Sequence, residues 1–385
     1  MTAARPDVIA PGATLGVLGG GQLGRMFTMR AQSMGYRVVV LDPDPASPAG
    51  AVADRHMQAA YDDVEALERL GGAVAAVTTE FENVPAASLQ RLAELCLTAP
   101  PVSALATAQD RITEKQFLRD AGFETAPFGV VRSAADVPAA IGEAGLPAIL
   151  KTSRLGYDGK GQAAADTEPD AVAAFERFGG VACVLEKRLD LELELSVVLA
   201  RGRDGTAAAF PVAENHHVNG VLDTSVVPAR ISADLAGRAK GLAIRVAEAM
   251  DYVGVLGVEL FVADGGRLYV NEMAPRPHNS GHYTIDACLP DQFEQQVRTL
   301  CGLPLINPTL LSPVAMANLL GDIWSGGEPR WQDALSLPGV RLHLYGKSTA
   351  RPGRKMGHLN AIASNADLAL EKVLEARGSL GGGGR

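Results

Sequence analysis

The chain has 385 residues, 47% hydrophobic and 21% charged, which leaves room for two or three domains with buried cores. Its net charge of −9 argues against a nucleic-acid binder, and no apolar run approaches the ~18 residues that a membrane span needs. Four cysteines (Cys96, Cys183, Cys288 and Cys301) lack paired C-x-x-C spacing, and Met1–Asp7 holds an acid and a proline where an export signal would be apolar. Both features point to reduced thiols in a cytoplasm.

The first hundred residues alternate strand and helix. Residues 14–18 form an apolar strand, 23–34 a helix, 37–41 a strand, 52–70 a further strand or turn and a helix, and 73–77 a strand. This βαβ rhythm makes the fold class α/β, with a parallel sheet covered on both faces. Gly19-Gly20-Gly21-Gln22-Leu23-Gly24 fits G-x-G-x-x-G between the first strand and helix, and Asp42 follows 18 residues after Gly24. Such a turn suits any phosphate at a helix N-terminus, and with Asp42 on a ribose it would suit an NAD-dependent oxidoreductase.

Pro100-Pro101 closes this region, and Asp110–Lys115 opens a new helix. Lys151 ends a strand and is followed by Gly156-Tyr157-Asp158-Gly159-Lys160-Gly161-Gln162. Backbone N–H groups of such a loop can face phosphate oxygens while the lysine adds a point charge. The competing reading is a flexible hairpin loop. The strand 181–186 runs into Lys187-Arg188-Leu189 and then a second strand, on which alternation puts Glu192, Glu194 and Ser196 on one face. For Glu192 a wetted sheet surface is the better account.

Residues 255–262 and 267–272 read as strands joined by Asp264-Gly265-Gly266. A two-residue turn at Gly265-Gly266 sets Glu259 opposite Glu272, with Cβ atoms roughly 4.5–5.5 Å apart. Opposed carboxylates repel, so they need a shared proton or a hard cation such as Mg²⁺, which takes carboxylate oxygens and leaves sites for phosphates. A solvent-facing hairpin in another register is the alternative. Ala274-Pro275-Arg276-Pro277-His278-Asn279-Ser280-Gly281-His282 follows, a polar, proline-stiffened loop in which Arg276 can grip an oxyanion. Each histidine also has a capping role open to it near Thr284, where a helix begins.

Asn307-Pro308 and Ser312-Pro313 mark a boundary before a smaller last part. Between Arg330 and Asn360 lie six basic residues (Arg330, Arg341, Lys347, Arg351, Arg354, Lys355) and one acid, Asp333. This island fits an anionic small molecule or a solvated basic face equally well. The chain is helical beyond Ser364, and Gly381–Arg385 reads as a disordered tail.

In this order the pieces resemble the ATP-grasp enzymes. Within them the chain is similar to the carboxyaminoimidazole ribonucleotide synthetases, from about Leu15 to Asn360. The resemblance rests on Gly19–Met26, Glu80-Phe81-Glu82-Asn83, Gly156–Gln162, Asn271–His282 and Arg351–His358. It implies an ATP-grasp fold with a Rossmann-like N-terminal domain (1–110), an ATP-grasp domain (111–308) and a small C-terminal domain (309–385). The implied reaction is ATP- and bicarbonate-dependent carboxylation of the 5-amino group of aminoimidazole ribonucleotide, in purine biosynthesis. ATP would be held by Arg111, Lys151, the loop 156–162, Glu186, Lys187, Arg188, Leu189, Glu194, His217, Asn271 and Glu272. Mg²⁺ would sit on Glu259 and Glu272. Tyr157, Arg276, His278 and Lys347 would act on bicarbonate and the ribonucleotide, and Gly21, Gln22, Leu23, Glu80, Asn279, Ser280, Lys347, Arg354 and Lys355 would bind the ribonucleotide. A cytoplasmic homodimer without membrane or nucleic-acid partners is the assembly implied.

Two departures are local: Glu214-Asn215-His216-His217 is spaced unlike the family's usual polar run, and Leu191-Glu192-Leu193 replaces smaller residues. A formate-dependent glycinamide ribonucleotide transformylase is the nearest competitor in the same architecture. Asn279–His282 and Arg351–His358 favour the carboxylating enzyme. The oxidoreductase reading leaves the opposed glutamates, the second glycine loop and the basic island without a role.

Overall fold

The computed structural model describes residues 8–156 and 159–381. The N-terminal part is a five-stranded, wholly parallel sheet in the order Arg55–Met57, Arg37–Leu41, Thr14–Leu18, Ala76–Thr79, Leu97–Ala99. The first strand therefore lies centrally, and the chain leaves it first to one side and then to the other. The crevice at the carboxyl ends of such a switch point is where α/β sheets take ligands, and here it holds Gly19–Leu23 and Glu80. One expectation shifts: the strand near 73–77 runs Ala76–Thr79, because the preceding helix Val64–Ala73 continues through its two glycines.

Four antiparallel strands follow, in the order Phe128–Val131, Cys183–Lys187, Ala148–Thr152, Gln162–Ala165. The largest sheet has nine strands. Its path runs Arg267–Ala274, Gly254–Ala263, Leu193–Arg201, Ala213–Val218, Val221–Val227, Val314–Leu320, Lys355–Ile362, Val340–Leu344, with Ala207–Ala209 pairing beside Leu193–Arg201. The last part of the chain thus adds its strands to the central sheet through the pairing of Val221–Val227 with Val314–Leu320.

Alternation divides this sheet into two faces. Leu195, Val197, Leu199, Val258 and Leu260 point to one side and are buried beneath the helix Ala233–Ala249, each such side chain contributing roughly 1.5–3 kcal/mol by leaving water. The other face carries Glu194, Ser196, Asn215, Gly257 and Glu259, and farther along Ser225, His358 and Asn360. A polar face in a buried setting has to be matched by something polar, and the segment 275–282 lies over it. The helix Arg111–Asp120 starts at Asp110, whose carboxylate accepts from Ile112 N and Thr113 N. It brings Arg111, Glu114 and Lys115 between the two antiparallel sheets.

Candidate active site

Glu259 does stand opposite Glu272, but not for the reason the sequence suggested. The turn has three residues, Asp264, Gly265 and Gly266, with φ of +50°, +75° and +88°. In that register Ala263 faces Arg267 and Leu260 faces Val270, which would set Glu259 against Asn271. A β-bulge between Glu259 and Leu260 inserts Asn271 as an extra residue and moves Glu272 into place. Glu192 is exposed, as a wetted position requires. Its carboxylate accepts from Gly265 N at 2.6 Å and so fastens this turn.

Burial, followed by the Glu272 charge, pushes the Glu259 carboxyl well above the usual carboxylate range. The bulged Asn271 reaches Glu259 Oε2 at 3.4 Å through Nδ2, and its Oδ1 is buried without a hydrogen bond among the described residues. Two opposed carboxylates beside an unmatched amide oxygen fit a hard divalent cation that prefers oxygen. Among the described residues no group of three His, Cys, Asp or Glu converges as a metal site. A cation here would therefore keep positions for phosphate oxygens and water.

The loop after Glu272 lies directly on the strand Gly254–Ala263. Gly257 permits this, since a Cβ there would stand 2.7 Å from the Cβ of His278. His278 caps the 3₁₀ turn Asn279–Gly281 through Nδ1, which accepts from Ser280 N at 3.3 Å. Nδ1 is therefore an acceptor, and the proton of the neutral ring belongs on Nε2, 3.4 Å from Glu259 Oε1. Burial first, and then Arg276, pull the pKa of His278 down to about 3, so the ring is neutral at physiological pH. The Ser280 hydroxyl lies 2.8 Å from Nδ1 and receives the Ser196 hydroxyl at 2.7 Å. Ser280, expected to touch substrate, is wholly buried and holds His278. The Asn279 Nδ2 is buried without a hydrogen bond among the described residues.

Arg276 is gripped by Glu82, with Nε 2.5 Å from Oε2. Burial opposes the charge on Glu82, but Arg276 overrides it and keeps the carboxyl ionised. This pair ties the N-terminal part to the loop, and Glu82 was legible only as one letter of a recognisable stretch.

The groups expected to hold a nucleotide include a cluster around Glu186. Lys151 Nζ donates to Glu186 Oε2 at 2.9 Å, and the wholly buried Lys115 lies 3.4 Å from the same oxygen. Burial alone would raise the Glu186 pKa, but Lys115, Lys151 and Arg111 hold it down at about 2. Arg111 spans to Glu272, with both terminal nitrogens 3.3 Å from Oε2. Glu194 and His217 meet at 2.5 Å across two neighbouring inner strands of the large sheet. Burial works against protonation of His217, yet Glu194 and Glu259 raise its pKa. The backbone N–H groups of Lys187 and Arg188 donate to Pro127 O and Pro147 O at 2.8 and 2.9 Å. These two donors are therefore already used within the protein.

Tyr157 and Asp158 lie outside the described residues. Their flanks are placed: Gly156 sits beside Thr152, Gly161 O accepts from Thr152 N, and a Cβ on Gly159 would stand 2.6 Å from Asn219 O. The glycine loop thus leaves the four-stranded sheet and abuts the turn at Asn219–Gly220 of the large sheet. Lys160 and Gln162 in this loop are exposed.

The first glycine loop is already satisfied. Gly20 N donates to Asp42 Oδ2 at 2.6 Å, and Gly21 N and Leu23 N donate to Glu80. Asp42 also accepts from Tyr61, so it is not placed as a ribose-binding acid, and the oxidoreductase reading loses both its phosphate turn and its carboxylate. Glu80 is pushed up to about 6 by burial, moderated by its backbone donors. The basic island divides. Lys347 donates to Lys355 O, and the charges of Lys347 and Lys355 are felt at Glu80 and His278. Arg354 donates to Thr349 O beside them, whereas Arg330 lies at the far end with Asp333.

The sequence comparisons agree with this geometry. A ribonucleotide synthetase preATP-grasp domain matches residues 12–109, an ATP-grasp domain 116–293, and a phosphoribosylaminoimidazole carboxylase C-terminal domain 314–372. The N5-carboxyaminoimidazole ribonucleotide synthase of Brucella melitensis is 47% identical over 362 residues, covering 92% of this chain and 97% of its own. The chain belongs to this family. The Staphylococcus aureus N5-carboxyaminoimidazole synthetase complexed with ADP superposes with a TM-score of 0.91 at 39% identity, over 98% of this chain and 100% of that one. The Aspergillus clavatus synthase in complex with ADP and 5-aminoimidazole ribonucleotide gives 0.86 at 30% identity, over 95% and 98%. The transformylase and oxidoreductase alternatives gain no support from any of these likenesses.

Proposed function

We propose that this chain carries out the reaction for which its family is named: carboxylation of the 5-amino group of 5-aminoimidazole ribonucleotide at the expense of ATP and bicarbonate. The observation that carries the reading is the placement of the loop 275–282. It is pinned between the opposed glutamates, the Glu82 anchor and the lysines of the last domain, so groups for nucleotide, oxyanion and ribonucleotide meet at one place.

ATP lies against Lys151, the loop 156–162, the hinge 186–189, Glu194 and His217, with Arg111 beside Glu272. Glu259, Glu272 and Asn271 would hold Mg²⁺, which supplies neutralisation of phosphate charge when bound. Bicarbonate attacks the terminal phosphorus, releasing ADP and giving carboxyphosphate. The ribonucleotide's amine then attacks the carboxyl carbon, or carbon dioxide released from it; phosphate leaves and the nitrogen loses a proton. Arg276 orients the bicarbonate oxyanion, with its own position fixed by Glu82. His278 donates a hydrogen bond through Nε2 and remains neutral. Lys347, Lys355 and Arg354 take the phosphate of the ribonucleotide, whose remaining contacts fall to Gly21, Gln22, Leu23, Glu80 and Asn279. Closure of the glycine loop keeps water from the labile intermediate.

The divisions 1–110, 111–308 and 309–385 are functional as well: ribonucleotide crevice, nucleotide clamp, and phosphate-facing lid of the ribonucleotide site. The enzyme works in the cytoplasm as a homodimer. Among the described residues no helix is long and apolar enough to cross a membrane. The test is isotopic: with ¹³C-bicarbonate, ATP and the ribonucleotide, label enters an acid-labile carbamate. Label that appears without the ribonucleotide, or never appears, overturns the reading.

A further inference from the structure

Lys115 belongs to no motif that singled itself out, yet its side chain has no exposed surface. Lysine is almost never fully buried unless paired. Its one close acid is Glu186, at 3.4 Å, and among the described residues its Nζ makes no hydrogen bond. The Glu186 oxygen that it faces is the one already bonded to Lys151 at 2.9 Å. The other oxygen, Oε1, is buried and unbonded among the described residues. A single carboxylate oxygen is thus shared by two ammonium groups, with Arg111 as a third cation nearby.

The balance of charge around that oxygen matters for Lys151. Facing Glu186 alone, Lys151 would form a closed one-to-one pair, and reaching a phosphate would mean breaking a buried ion pair. Breaking such a pair is expensive because one partner is left buried without compensation. A second ammonium on the same carboxylate removes that obstacle, since Glu186 stays compensated when Lys151 turns away. The cluster is also cation-rich: Arg111, Lys115 and Lys151 face Glu186 and Glu272, while burial pushes Glu114 up to about 7 and weakens its charge. Such an excess favours a polyanion.

We propose that Lys115 is a positioning residue of the nucleotide site, which shares Glu186 with Lys151 and so leaves Lys151 available to the phosphates. This deepens the ATP reading given above and rests on it. Lys115 acts through Glu186 and does not touch the nucleotide.

The test is a cycle of Lys115→Met, Glu186→Gln and the double variant, read by calorimetric titration with Mg-ADP and by KM values. Lys115→Met weakens ADP binding on the order of 10-fold, the size of a coupling between contacting groups, and leaves the KM for the ribonucleotide unchanged. With Glu186→Gln already in place, adding Lys115→Met changes ADP affinity by less than about 2-fold. Wild-type affinity in Lys115→Met overturns the proposal. So does a further loss in the double variant beyond Glu186→Gln alone, which would mean that Lys115 attracts the nucleotide directly. If Lys115→Met does not fold, the comparison of the double variant with Glu186→Gln decides by the same criterion. Failure of the wild-type protein to bind ADP would instead defeat the underlying ATP reading.

Discussion

Gly257→Ala tests whether the loop 275–282 owes its place to a missing side chain. The added methyl would stand 2.7 Å from the Cβ of His278 and 2.9 Å from its Cγ. Ordinary carbon–carbon contacts lie at roughly 3.5–4.0 Å, so the ring has to retreat by about 1 Å. Gly257 carries no positive φ, and the perturbation is purely one of contact. Overpacking of this kind costs about 1–3 kcal/mol of stability. The retreat breaks the 3.4 Å approach of His278 to Glu259 and the 2.8 Å contact with Ser280. A misplacement of about 1 Å in a catalytic group lowers turnover ~100-fold, or about 2.7 kcal/mol in the barrier. ADP binding provides the internal control, because Lys151 and Glu186 lie on the other sheet. Steady-state ADP release should fall ~100-fold while calorimetric ADP affinity stays within about 2-fold of wild type. A folded variant with wild-type turnover would refute the packing argument, and equal losses in both quantities would refute the separation of the two halves of the site.

Glu272→Gln should abolish Mg²⁺-dependent turnover, and wild-type activity in that variant would remove the cation from the glutamate hairpin. Lys355→Ala should raise the KM for the ribonucleotide far more than that for ATP; equal shifts would take the basic island off the ribonucleotide. Glu80 gives a pH signature. Its folded pKa of about 6 exceeds the ordinary 4.5, so folding takes up a proton between these values. The resulting stability is complete below pH 4.5 and is lost as pH rises through 6. The gap corresponds to about 2 kcal/mol, so denaturant titrations should show Glu80→Gln gaining that much relative to wild type from acid to neutral pH. A difference independent of pH would mean that Glu80 does not retain its proton on folding.

Much of the architecture could be read from periodicity, because the parallel sheet is built from short apolar runs that leave few alternatives. The pairing of Glu259 with Glu272 was legible through two compensating errors: the turn is one residue longer than its glycines suggested, and the bulge at Asn271 restores the register. Neither a left-handed Asp264 nor a bulge has a strong local signal. Glu82 and Arg276 are 194 residues apart, and only the tertiary fold makes them partners. Lys115 carried no signal of its own in the sequence, because inward and outward positions of a short amphipathic helix differ by one residue. The glycine loop at Gly19–Leu23 fitted a phosphate motif, and nothing local announced that Asp42 and Glu80 would occupy its N–H groups. The resemblance supplied what spacing could not: the roles of dispersed residues that converge only after folding.

The central claim is tested most directly by ADP release from ATP, Mg²⁺ and bicarbonate, with and without 5-aminoimidazole ribonucleotide. The account predicts strong stimulation by the ribonucleotide that disappears when bicarbonate is removed. Turnover on formate and glycinamide ribonucleotide instead, or no ATP turnover in any combination, would contradict it.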